Sequence, residues 1–119
     1  MPMGTHPIYK YHFRPAYYSD EFLIEIYNGA ENEGFLGDFL HALAPIAVNL
    51  NDMVGLWMNE EVLMDFSSEL GPFQLTKDSW GFAFVMAREN QKAISKIHKL
   101  LSADPKFKNI PVNNADYKK

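Results

Sequence analysis

Between Trp80 and Leu101 the apolar residues change period, and that change constrains the fold more than any other feature of the chain. "WGFAFVMA", residues 80–87, is a tight apolar run of strand length. Beyond Glu89 the spacing becomes helical: Ile94, Ile97 and Leu101 line one face, flanked by Ala93 and Leu100. Asp104-Pro105 ends that helix, because the residue before a proline is pushed out of the helical region. A strand that runs directly into an amphipathic helix needs a sheet for the helix to lie on.

The rest of the chain supplies that sheet. In "YKYHFR", Tyr9, Tyr11 and Phe13 share one parity and Lys10, His12 and Arg14 the other, the period-two pattern of a half-buried strand that Pro15 ends. Phe22, Ile24 and Ile26 repeat the pattern as far as the turn signal Asn28-Gly29, with a short helix capped by Ser19 as the competing reading. The segment 60–70 carries both signals. Val62, Leu63, Phe66 and Leu70 fit a helix face, while Val62, Met64 and Phe66 alternate. The strand is the better choice, because residues 72–87 read as two further strands and three consecutive strands make a meander.

Phe35, Leu36, Phe39, Leu40 and Leu43 recur at helical spacing, with acidic residues before them where a helix dipole favours negative charge. Pro45 stops or kinks that helix. "PIAVNLNDMVGLW" then predicts a second helix, with Pro45 in its first turn and Ile46, Leu50, Met53, Val54 and Trp57 facing the core. The sum is an α+β fold: an antiparallel sheet of two N-terminal strands plus a three-strand meander, with about three helices on one face. A chain of 119 residues with 47% hydrophobic content supports one core, so residues 1–119 are expected to form a single domain. Residues 103–119 have no helical period and read as an extended tail, with Phe107, Ile110 and Val112 available to pack on the body or a second subunit.

The composition excludes some chemistry. There is no cysteine, hence no disulfide, no thiolate metal site and no thiol nucleophile. The first ten residues lack the basic region and apolar run of a signal peptide, and the longest apolar run, Ala42 to Val48, is far below a membrane span. A cytoplasmic protein with no membrane partner is the expectation.

No motif nominates an enzyme. His6, His12, His41 and His98 are scattered without metal-ligand spacing, so no metal or other cofactor is expected. Asp38 and His41 stand three apart on the first helix. Glu60 and Glu61 adjoin Trp57, and Glu61 and Asp65 would share a strand face around Leu63. These are the groups an enzyme reading would use, as paired carboxylates or an acid with an imidazole. There is no GxSxG elbow and no glycine-rich phosphate loop. "GFLG", residues 34–37, resembles a nucleic-acid GxxG clamp, but the acids around it would repel phosphate. "YKYHFR" interleaves base and aromatic, as single-strand binders do, yet a half-buried strand alternates in the same way. Nucleic acid is not an expected partner.

Charge and aromatic content point to binding instead. Residues up to Ala87 carry three basic and twelve acidic side chains; from Arg88 onward there are eight basic and three acidic. Arg88, Lys92, Lys96 and Lys99 form one stripe on the last helix, either its solvated side or a docking stripe for an acidic partner or the acidic part of a second copy. Tyr17, Tyr18, Trp57 and Trp80 are candidates for an interface or a ligand pocket, since Tyr and Trp join large apolar area to a polar handle. The sequence therefore predicts a small non-enzymatic interaction protein, assembling with itself as a homodimer or binding an acidic protein. The alternatives are a small-molecule binder with an aromatic, apolar pocket, and an enzyme built on His41/Asp38 or Glu60/Glu61.

Overall fold

A single row of side chains organises the sheet: Phe13, Ile24, Val85, Leu75, Met64 and Met53 stand opposite one another across six strands. A computed structural model describes residues 8–16, 19–56, 61–87, 89–113 and 115. In chain order the elements are β1 (Tyr9–Pro15), β2 (Phe22–Asn28), α1 (Phe35–Ala42), a 3-10 turn (Ala44–Ile46), β3 (Asn49–Leu56), β4 (Glu61–Ser67), β5 (Phe73–Asp78), β6 (Ala83–Met86), α2 (Gln91–Ala103) and β7 (Phe107–Asn109). They form one seven-stranded sheet in the order β3-β4-β5-β6-β2-β1-β7. The fold is α+β.

The alternating pattern of β1 and β2 sets their register, with Tyr11 opposite Ile26 and Phe13 opposite Ile24. Gly29 closes the second strand at φ +95°, pressed so closely on Ile8 and Tyr9 that a side chain has no room there. The meander β4-β5-β6 forms as the alternation of Val62, Met64 and Phe66 requires, and Phe66 stacks on Phe73 at 5.2 Å. On the helix-covered face Tyr9, Tyr11, Ile24, Ile26, Leu75 and Val85 join Phe35 and Phe39 of α1 and Ile94, Ile97 and Leu101 of α2 in one buried cluster.

Three expectations need correction. The helix predicted over "PIAVNLNDMVGLW" is a 3-10 turn followed by strand β3. Of the residues assigned to its core face, only Ile46 is buried; Leu50, Met53 and Val54 are exposed, and Trp57 lies outside the described residues. The cause is local. Ala47 takes the left-handed conformation and breaks helical continuity. Asn49, Asn51, Asp52 and Gly55 are weak helix formers, while β4 offers a ladder from Asn49 opposite Ser67 to Leu56 opposite Glu61. The described helices are therefore two, not about three. The sheet is also mixed rather than antiparallel, because the expected tail contributes β7, parallel to β1. Phe107 is buried there, its ring 4.7 Å from Tyr9, and a three-residue strand is too short to register as a period.

The burial row ends abruptly. Met64 is 3% exposed and Met53, directly opposite it on β3, is 50% exposed. Truncation should report this boundary. Met64→Ala should lower the unfolding free energy by roughly 2–5 kcal/mol, whereas Met53→Ala at low protein concentration should change it by no more than about 0.5 kcal/mol. Urea denaturation of the two variants measures both, and equal losses would contradict a core that stops at β4.

Candidate interaction surface

β3 is eight residues long, yet every one of its residues from Asn49 to Gly55 is exposed. It lies at one end of the sheet, so one side of its backbone has no ladder partner among the described residues. Leu50, Met53 and Val54 are its large apolar side chains. An unpaired edge is a template for another strand, and proteins commonly blunt such edges by shortness, lysine, proline or a bulge. The other edge, β7, is blunted by its length of three residues. β3 contains no lysine and no proline; it has one irregularity, between Leu50 and Asp52, and runs regularly from Asp52 to Leu56.

Asp52 carries the only charge of β3 and stands opposite Asp65 of β4. Like charges so placed weaken a hairpin. Asp65 Oδ1 accepts a 2.8 Å bond from Gln74 Nε2, and Asp52 Oδ1 accepts the Met53 backbone N–H at 2.9 Å. Both carboxylates are thus hydrogen-bonded within their own chain. On the face away from the helices Val54 stands opposite Leu63, and Leu63 opposite Thr76.

Trp80 is the most exposed large apolar side chain described, at 75%. Its turn is held from within: Asp78 Oδ1 accepts the backbone N–H of Trp80 at 2.9 Å and of Phe82 at 3.0 Å. Gly81 supplies φ +97° against the Glu31 carboxylate. Lys92, Lys96 and Lys99 are exposed on α2. Tyr17, Tyr18, Trp57, Glu60 and Arg88 lie outside the described residues.

The groups weighed for catalysis are distributed differently. Asp38 faces Tyr9 and Lys106: its Oδ2 accepts the Tyr9 hydroxyl at 2.6 Å and its Oδ1 accepts Lys106 Nζ at 2.9 Å. The Tyr9 bond, then the Lys106 bond, holds the Asp38 carboxyl below its usual range, while burial and then Asp38 push the Tyr9 hydroxyl upward. The trio joins α1, β1 and the connection into β7. His41 is exposed. Glu61 stands opposite Asp78, and Glu61 and Asp65 flank Leu63 on β4. Among the described residues no group of three or more His, Asp or Glu side chains could hold a metal ion. No described helix is long and apolar enough to cross a membrane.

A depression of about 680 Å³ lies at the β4-to-β5 turn, lined by Leu70, Pro72, Phe73, Gln74 and Met86 with Asp65 at its side. Its wall is fixed by Asn90, whose Nδ2 donates to the carbonyls of Leu70 at 2.8 Å and Pro72 at 3.0 Å. Trp80 follows the opposite end of β5 and does not line it.

Comparisons with protein-family models, curated proteins and solved structures found no match.

One histidine couples the core to pH. The His98 ring stacks flat on Phe13 at 4.2 Å, and its Nδ1 lies 3.1 Å from the Tyr11 hydroxyl. Burial first, then Lys99, holds its pKa below the ordinary imidazole value. The fold favours neutral His98, so as the pH falls the unfolded chain takes up the proton first. The stability from this site is complete above the unfolded value, about pH 6.5, and is lost on acidification below it. The thermal midpoint should fall between pH 7.5 and 5.5. His98→Phe, which keeps the stack and removes the titration, should show a smaller fall; an identical fall would contradict the assignment.

Proposed function

We propose that this protein works by association rather than by catalysis, and that β3 is the element that associates. The observation that carries this reading is the exposure of β3 from Asn49 to Gly55, an edge strand bearing Leu50, Met53 and Val54 and unguarded by lysine or proline. Strand addition at such an edge supplies backbone hydrogen bonds for affinity and alternate side chains for specificity. The simplest partner is a second copy, related by a two-fold axis. The α2 lysines Lys92, Lys96 and Lys99 contribute orientation at most, since exposed ion pairs are worth only about 0–1 kcal/mol each.

A second reading is favoured by the depression between Leu70 and Met86. Its size, about 680 Å³, is that of small-molecule sites, and its wall is pre-formed by Asn90. A small aromatic ligand there would perturb the amides of Gln74, Met86 and Asn90 in a two-dimensional NMR titration. A panel of hydrophobic aromatic compounds that leaves those amides unmoved would remove this reading.

Light scattering after size exclusion, across protein concentrations, tests the first reading. An interface made by one strand buries less than about 1,200 Å², at the weak end of the range, so dissociation on dilution is expected. Val54→Lys should shift the monomer–dimer midpoint at least tenfold toward monomer. Lys96→Glu should leave the midpoint within about threefold at ordinary salt. A monomer at every concentration, or a dimer indifferent to Val54→Lys, would overturn the role given to β3.

A further inference from the structure

We infer that two copies pair through β3 about a two-fold axis at Val54, which makes one continuous sheet across both chains; this rests on the homodimer reading above. In an antiparallel pair of identical strands within one sheet the axis is perpendicular to the sheet. Residues opposite each other must then share a face, so one residue opposes its own copy. Near the middle of β3 the choices are Asp52, Met53 and Val54.

Asp52 is excluded by charge, because the axis would set two carboxylates directly opposite each other. Met53 is disfavoured by the irregularity between Leu50 and Asp52. With the axis at Met53, position 55 falls opposite Asn51 inside that irregularity, and only residues 52–54 pair regularly. With the axis at Val54, all five residues of the regular stretch Asp52–Leu56 find partners.

The side chains agree with that register. Val54 meets Val54 of the second copy on the face away from the helices, where Leu63 already stands opposite Val54. An apolar row Leu63–Val54–Val54–Leu63 then crosses the axis. On the other face Met53 stands opposite Gly55 of the second copy. Nothing lies within 4 Å of where a Gly55 side chain would begin, so the half-exposed Met53 has a place to lie. Asp52 opposes Leu56, and the two Asp52 residues fall about 14 Å apart along the strands, beyond the ~8 Å screening length at physiological salt.

The chain has no cysteine, so single cysteines report the register without background. A disulfide needs Cα atoms within about 7 Å. In this register, position 54 opposes itself at about 5 Å, the two copies of position 53 lie about 8 Å apart, and the two copies of position 52 about 14 Å apart. Under mild oxidation Val54→Cys should cross-link at least tenfold faster than Met53→Cys, with Asp52→Cys slower still. An equal mixture of Met53→Cys and Gly55→Cys chains should give the mixed disulfide ahead of either self-linked product. A light-scattering dimer in which Met53→Cys links fastest would overturn the register and leave the β3 dimer standing. A dimer in which none of these positions links would overturn β3 as the interface. A monomer at all concentrations would overturn both.

Discussion

The two described helices cannot cover a sheet seven strands wide, and the rest of the described structure follows from that mismatch. Six inter-strand gaps of about 4.8 Å make a sheet nearly 30 Å across, whereas two helices side by side cover about 20 Å. α2, thirteen residues long, and α1, eight, bury Ile94, Ile97, Phe35 and Phe39 over the middle and the β1 side of the sheet. Burial holds as far as Met64 and fails at Met53. Among the described residues β3 is therefore attached chiefly by its ladder to β4, and its Leu50, Met53 and Val54 are exposed.

The two edges are treated in opposite ways. At the β1 edge the chain returns after α2 to lay down β7. Lys106 O accepts the backbone N–H groups of Ile8 and Tyr9, each at 2.9 Å, and Asp38 ties Lys106 and Tyr9 to α1. His12 Nδ1 lies 2.7 Å from the carbonyl oxygen of Ile110, and the His12 ring stacks on Tyr27 at 4.4 Å. This edge is short, charged and tied into the body. At the β3 edge neither shortness nor a basic side chain intervenes. Among the described residues a dense set of contacts closes one edge while the other has no ladder partner, the contrast on which the proposed strand addition rests.

The sequence made most of the fold legible and hid β3, the strand on which the proposed association rests. β1, β2, α1, the meander and α2 all announce themselves, because each has one face in the core and burial imposes a period. β3 has no such face. Its Leu50, Met53 and Val54, with Ile46 and Trp57, stand at spacings that imitate a helix. The signal against a helix was the local chemistry of Asn49, Asn51, Asp52 and Gly55, which outweighs a spacing that no core enforces. β7 is illegible in the sequence for a different reason: three residues cannot express a period, and Phe107 is placed by Tyr9 and β1 rather than by its neighbours in sequence. Asp38 stood out as a partner for His41, but its partners Tyr9 and Lys106 are distant in the chain and no spacing reveals them.

Backbone hydrogen exchange of β3 at two protein concentrations tests most directly whether the covered sheet ends at β4 and leaves β3 open for a second copy. In dilute protein the outward N–H groups between Asp52 and Leu56 should exchange near the rate of unprotected amides while those of β4 and β5 stay protected. At high concentration the same β3 amides should become protected, with β7 unchanged. Protection of every β3 amide in dilute protein to the level of β4, with no response to concentration, would contradict the account.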